Sequence, residues 1–267
     1  MMKREGYYVI RTIIAGQIGE KIKYWVPGQK PTKSKRKMKS DIRKIQQNES
    51  DAVKRVARLI NANFLPGDCF FAPTYSDESL ATLMADMPDG IPEDEQMDYL
   101  YEKAHHQLQL YLRRVRRTCE KAGIDFKYIA ITSDMDGETG ESVRVHHHII
   151  APREVMEILL EKWPHGIVRK NYVWNEPDHS GLAKYLMDQV RKIPDAKKYI
   201  PSRNLIIPVP QDRIAPSGKE VQPPKGATLL HRSEYSSGRP QYIRYIIPKK
   251  PKPGGGDCPC YETGGAA

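Results

Sequence analysis

The chain of 267 residues contains no apolar run that approaches the length of a bilayer span, so a transmembrane helix is excluded. Cysteine is scarce. Cys69, Cys119, Cys258 and Cys260 form no C-x-x-C pair, and a chain of this size builds a core without disulfides. A disulfide scaffold is therefore not expected. Cys258 and Cys260 sit in a Gly- and Pro-rich C-terminal stretch that reads as a disordered tail rather than as a metal clip. The N-terminus, MMKREGYYVIRTII, lacks the apolar region and small-residue cleavage site of a signal peptide. It reads as the first strand of a cytoplasmic protein. Internal repeats are missing too.

What the chain does carry is positive charge, +10 overall. The distribution is uneven. Residues 30–44 hold eight Lys or Arg and one Asp, whereas residues 77–102 hold nine Asp or Glu and no base. The first segment can follow a phosphate backbone, with Lys35, Arg36, Lys37 and Lys39 at its centre, or can be a solvated loop. The second reads as a surface insertion.

Element signals alternate along the chain. GYYVIRTII and KIKYWV read as strands, and residues 50–63 as a helix with Ser50 as N-cap. DCFFAPTYS reads as a strand that Pro73 assigns to an edge or a bulge. A long helix within 93–122 presents Leu108, Leu112, Val115 and Cys119 on one stripe, with Arg113 and Arg117 outside it, and stops at Gly123. Two strands, KYIAITSD and VRVHHHIIA, flank a turn, MDGETGES. A short helix, the strand IVRKNYVW, the helix SGLAKYLMDQVR and a late strand QYIRYII follow. With a hairpin and no strict β-α-β rhythm, the expected class is α+β on an antiparallel sheet.

The most informative stretch is VRVHHHIIAP, residues 143–152. Period two places Val143, Val145, His147 and Ile149 on one face and Arg144, His146, His148 and Ile150 on the other. His147 falls in the apolar set and is assigned to the core. His146 and His148 lie side by side, a spacing suited to two ligands of one divalent ion. If Ile129 and Ile131 face the core, Asp134 shares the histidines' face and becomes the third ligand, which favours Mg or Mn over Zn. Ser133, Asp136 and Glu138 are the alternatives. Downstream, GLAKYLMDQV places Tyr185 at the edge of a buried helical stripe. Beside a metal site its phenol can act as a nucleophile on phosphorus, and Lys184 is its candidate helper.

VHHHII followed by LAKYLMDQV resembles the HUH endonucleases, and more narrowly the proteins that start rolling-circle replication of phages, plasmids and mobile elements. FFAPTY, Phe70 to Tyr75, is similar to the first motif of that family, the histidine pair to the second and the Tyr185 helix to the third. WPHG (163–166) and PSRNLI (201–206) also resemble segments of the bacterial and phage branch. There are departures. Ala72-Pro73 replaces the usual polar–apolar pair, His147 replaces an aliphatic residue, and Ser133 stands where relatives often carry a carboxylate. Asp188 and Gly181 stand where some relatives have a lysine and a second tyrosine.

The resemblance implies a central antiparallel sheet of about five strands with packed helices, an HUH-like core at 50–208, with N-terminal strands (1–29) joining the same catalytic domain across a basic loop (30–49). Residues 209–248 are then an irregular extension with one strand, and 249–267 the tail. It also implies a single-tyrosine, metal-dependent enzyme that nicks and joins single-stranded DNA at an origin through a phosphotyrosine, with a host helicase and polymerase as partners. The lysines and arginine of the loop, with Arg113 and Arg117, are the expected DNA guides. A relaxase, a transposase or a catalytically silent DNA-binding copy-control protein remain alternatives.

Overall fold

The computed structural model describes residues 6–28, 42–191, 198–215, 220–233 and 240–248. The basic residues Lys35, Arg36, Lys37 and Lys39 and the C-terminal tail lie outside these. Among the described residues, two antiparallel five-stranded sheets and five α-helices make an α+β protein.

Strands β1 (Tyr7–Ala15) and β2 (Ile18–Val26) form a tight hairpin. Its turn requires Gly16, which has φ +58°, and an added Cβ would lie 2.0 Å from the Asn61 carbonyl oxygen. These strands do not join the histidine sheet, contrary to the expectation from sequence. They pair instead with β8 (Gln211–Ala215) and β10 (Gln241–Ile246), and β10 carries β9 (Thr228–Arg232). The segment 209–248 therefore supplies three strands rather than one. Two of them escape pattern reading because edge strands here bury almost no side chains: β9 is exposed throughout and β8 buries only Ala215.

The second sheet runs β6 (Val168–Tyr172), β3 (Cys69–Pro73), β5 (Ser142–Ala151), β4 (Ile129–Met135), β7 (Ile200–Pro201). The histidine strand β5 is its centre. Pro73 does not put β3 on an edge. Its pairing with β5 runs Cys69↔Ala151 to Phe71↔Ile149 and resumes in the same register at Thr74↔His146, so the missing N–H falls in the gap.

Both faces of this sheet are covered. On one, α2 (Asp77–Met84), α3 (Glu93–Ala122) and α4 (Met156–Glu161) bury Phe71, Ala130, Val145 and Ile149. Leu108, Leu112, Val115 and Cys119 of α3 face it as the stripe predicted. On the other, α1 (Ile42–Asn63) and α5 (Ser180–Asp188) bury Phe70, Ile129, Ile131 and Ile150. Each fully buried Leu or Ile contributes about 1.5–3 kcal/mol.

Helix α1 begins at Ile42, so Ser50 lies mid-helix and caps nothing. No Gly or Pro interrupts residues 42–63, so no backbone breaker stops the helix upstream of Ser50. The acidic stretch, expected as a surface insertion, lies on two helices, α2 and the start of α3. Asp77 and Glu78 occupy the first turn of α2, and Glu93 begins α3, where carboxylates complement the helix dipole. Two ion pairs tie the sheets together: Arg58 of α1 forks onto Glu20 of β2 at 2.9 and 2.6 Å, and Arg244 of β10 meets Asp178 at 3.2 Å. No helix among the described residues is long and apolar enough to cross a membrane.

Candidate active site

The three histidines divide as strand parity requires. His147 points to the α3 side, is fully buried, and accepts or donates at both ring nitrogens: Tyr75 Oη at 2.8 Å and Thr132 Oγ1 at 3.2 Å. Burial holds its pKa well below the usual imidazole value. It is a satisfied core residue.

His146 and His148 face the α5 side, with ring centroids 4.8 Å apart and the two Nε2 atoms at 3.1 Å. The Nδ1–H of His146 donates to the Arg144 carbonyl at 2.9 Å, which leaves the Nε2 lone pair free. His148 has no such brace. Its ring lies parallel to Phe70 with centroids 5.4 Å apart, and its Nδ1 is buried without a partner. Burial and the neighbouring His146 lower its pKa to about 4, so it is neutral at physiological pH.

A third donor comes from a residue that the sequence reading passed over. Gln189 Oε1 lies 2.9 Å from His148 Nε2. The amide orientation follows from its other end, since Gln189 Nε2 donates to the Tyr185 carbonyl at 3.2 Å. Three electron-rich atoms thus converge with one ring proton to share among them. A divalent cation satisfies all three at once, so the donor set fits one. Among the described residues no group of three or more His, Cys, Asp or Glu could hold a metal ion, because the third donor here is an amide. The available signal was spacing: Gln189 follows Tyr185 by four residues, one helical turn on the same face.

Asp134 is not brought to the histidines. The pairing Ile131↔His148 and Ser133↔His146 puts the isoleucines and Ser133 on the histidine face. Asp134 points the other way, where its carboxylate is gripped by the Arg191 guanidinium, with Nε 2.9 Å from both oxygens. The expectation failed because both faces of the sheet are core, so apolar isoleucines do not single one out. Ser133 does not donate to a cation site either. Its hydroxyl donates to the Gln189 carbonyl at 2.7 Å and pins the end of α5 to β4. Asp136 is occupied by the hairpin turn, where Oδ1 accepts from the Glu138 and Thr139 amides.

Tyr185 stands over this cluster. Its ring lies edge-on to His148 and Phe70, with centroids at 5.8 and 6.1 Å, and 51% of the residue is exposed. The buried stripe of α5, Ala183, Leu186 and Met187, fixes that orientation. Lys184 points elsewhere: its ammonium pairs with Asp188 at 2.5 Å on the outer face. Arg113 and Arg117 are exposed on α3, across the sheet from Tyr185. Arg169 of β6, which no sequence motif marks, pairs with Ala72 of β3, shares the face of Phe70 and His148, and is exposed.

Comparison of the chain with protein-family models, with curated proteins and with solved structures finds no match.

Proposed function

We propose that the protein is a divalent-metal-dependent enzyme of the HUH type that nicks and rejoins single-stranded DNA through Tyr185. One observation carries this reading: a solvent-facing phenol sits beside a convergent pair of imidazole nitrogens and an amide oxygen, and Tyr185 and Gln189 are one helical turn apart. His146, His148 and Gln189 would hold the ion, with Mg or Mn as the expected metal and Zn as an alternative. When bound, the ion supplies Lewis-acid polarisation of a phosphodiester oxygen.

The remaining chemistry belongs to the chain. The Tyr185 oxygen loses its proton and attacks phosphorus. The bond from phosphorus to the 3′ oxygen breaks, and that oxygen takes up a proton as a free hydroxyl. The 5′ phosphate is left on Tyr185. Attack by a 3′ hydroxyl reverses the step, so joining needs no nucleotide cofactor. Arg169 is on the correct face to hold a neighbouring phosphate. Initiation of rolling-circle replication at an origin, with a host helicase and polymerase, is the biological role proposed. A transposase or relaxase would use the same chemistry on other DNA.

Incubating labelled single-stranded DNA with the protein and Mn²⁺ should yield an SDS-resistant protein–DNA band. Tyr185→Phe should abolish the band while leaving DNA binding intact. A band that survives in this variant would move the nucleophile elsewhere.

A further inference from the structure

A cleft of about 460 Å³ opens beside Tyr185, between edge strand β6, the residues after it and the first turn of α5. Phe70 lies in its lining, together with Tyr172 and Trp174. Trp174 is 68% exposed and Tyr172 50%, so two aromatic rings face water next to the nucleophile. Asn171 and Glu176 add an amide and a carboxylate. The wall on the helix side is open at Gly181, where an added Cβ would meet no atom within 4 Å.

We propose that this cleft binds one unstacked nucleobase of the single strand, adjacent to the phosphate at Tyr185. It rests on the nicking reading above. Trp174 is the main stacking face and Tyr172 the second, since a base offers a flat π-surface whatever its identity. The cleft suits a base better than a phosphate. Four of its ten lining residues are Phe, Tyr or Trp, none is Lys or Arg, and Glu176 repels an anion. Asp178 is already engaged by Arg244 and by Ser180, which leaves Glu176 as the carboxylate acceptor. A carboxylate accepts from the amino groups of adenine and cytosine. Thymine flanks its one N–H with two carbonyl oxygens and is the poorer partner. The cleft therefore selects an amino-bearing base at one position of the strand.

The test uses the full-length protein in EDTA, so that strands stay uncut, with fluorescein-labelled homopolymers of dA, dC and dT read by anisotropy. Wild type should bind dA and dC more tightly than dT. Trp174→Ala should weaken binding about fivefold to a hundredfold, the span that one stacked base supplies. Gly181→Leu should do the same by filling the cleft, and it removes a helix-disfavouring residue, so folding is not at stake. Glu176→Gln should narrow the gap between dC and dT. Binding should quench tryptophan fluorescence in wild type, and that quench should vanish in Trp174→Ala although Trp25 and Trp163 remain. Equal affinity of wild type, Trp174→Ala and Gly181→Leu overturns the inference, and so does a wild-type preference for dT. If adducts at Tyr185 still form under those outcomes, the nicking reading stands alone. If wild type binds none of the strands, that reading falls as well.

Discussion

Two imidazoles alone make a weak cation site, and in the proposed site the amide oxygen of Gln189 would raise the donor count to three. Its position is set by three local contacts: Nε2 to the Tyr185 carbonyl, the backbone carbonyl to Ser133, and Oε1 to His148. Calorimetric titration with Mn²⁺ should show Gln189→Ala weakening the ion at least about tenfold, as loss even of an outer partner typically does. Gln189→Glu should retain or tighten binding, because an anionic oxygen replaces a neutral one. Unchanged affinity in both variants would remove Gln189 from the site. Asp134→Asn, by contrast, should leave Mn²⁺ affinity unaltered, since its carboxylate belongs to Arg191.

At the scale of elements, the position of Tyr185 depends on how α5 is moored. Its apolar stripe seats it on the sheet, and its exit is clamped by Arg191, which reaches Asp134 of β4, the Met97 carbonyl and Asp98 of α3 and lies over the Tyr101 ring, 4.4 Å from its centroid. The Asp134 side chain is 4% exposed, so removing Arg191 leaves a buried charge without its partner. Arg191→Ala should therefore cost about 3–5 kcal/mol in urea unfolding. Arg191→Lys should recover part of that, because one ammonium cannot reproduce the fork. Joint replacement of Arg191 by Met and Asp134 by Leu should recover more. A loss below about 1 kcal/mol for Arg191→Ala would mean the clamp does not hold α5.

For the whole molecule, five histidines share one behaviour: His105, His147, His148, His165 and His179 all have pKa values lowered chiefly by burial. The unfolded chain binds protons at them near the ordinary value of 6.5, whereas folded His148 waits until about 4. Below 6.5 the unfolded state therefore holds more protons, and folding stability falls as pH falls through that window. Thermal melts from pH 7.5 down to 4.5 should show a steady decline in Tm that begins near 6.5. His147→Gln should shift the curve less at pH 5 than at pH 7, because the variant no longer carries the proton penalty. A flat Tm across this range would contradict the burial of these rings. The two sheets should also unfold together, since Arg58–Glu20 and Arg244–Asp178 cross between them.

The sequence by itself determined whatever depends on local periodicity. Alternation along residues 143–151 divided His147 from His146 and His148, and the stripe of SGLAKYLMDQVR placed Tyr185 at its margin, because side-chain direction in a strand or helix is a property of the backbone period. Charge and apolar spacing likewise marked the face of α3 that packs. Tertiary structure alone decided which strands share a sheet, which of two buried faces Asp134 meets, and that Gln189 rather than a carboxylate reaches the histidines. Those outcomes depend on register between strands far apart in the chain and on a sheet covered on both sides, and neither leaves a period in the sequence to read.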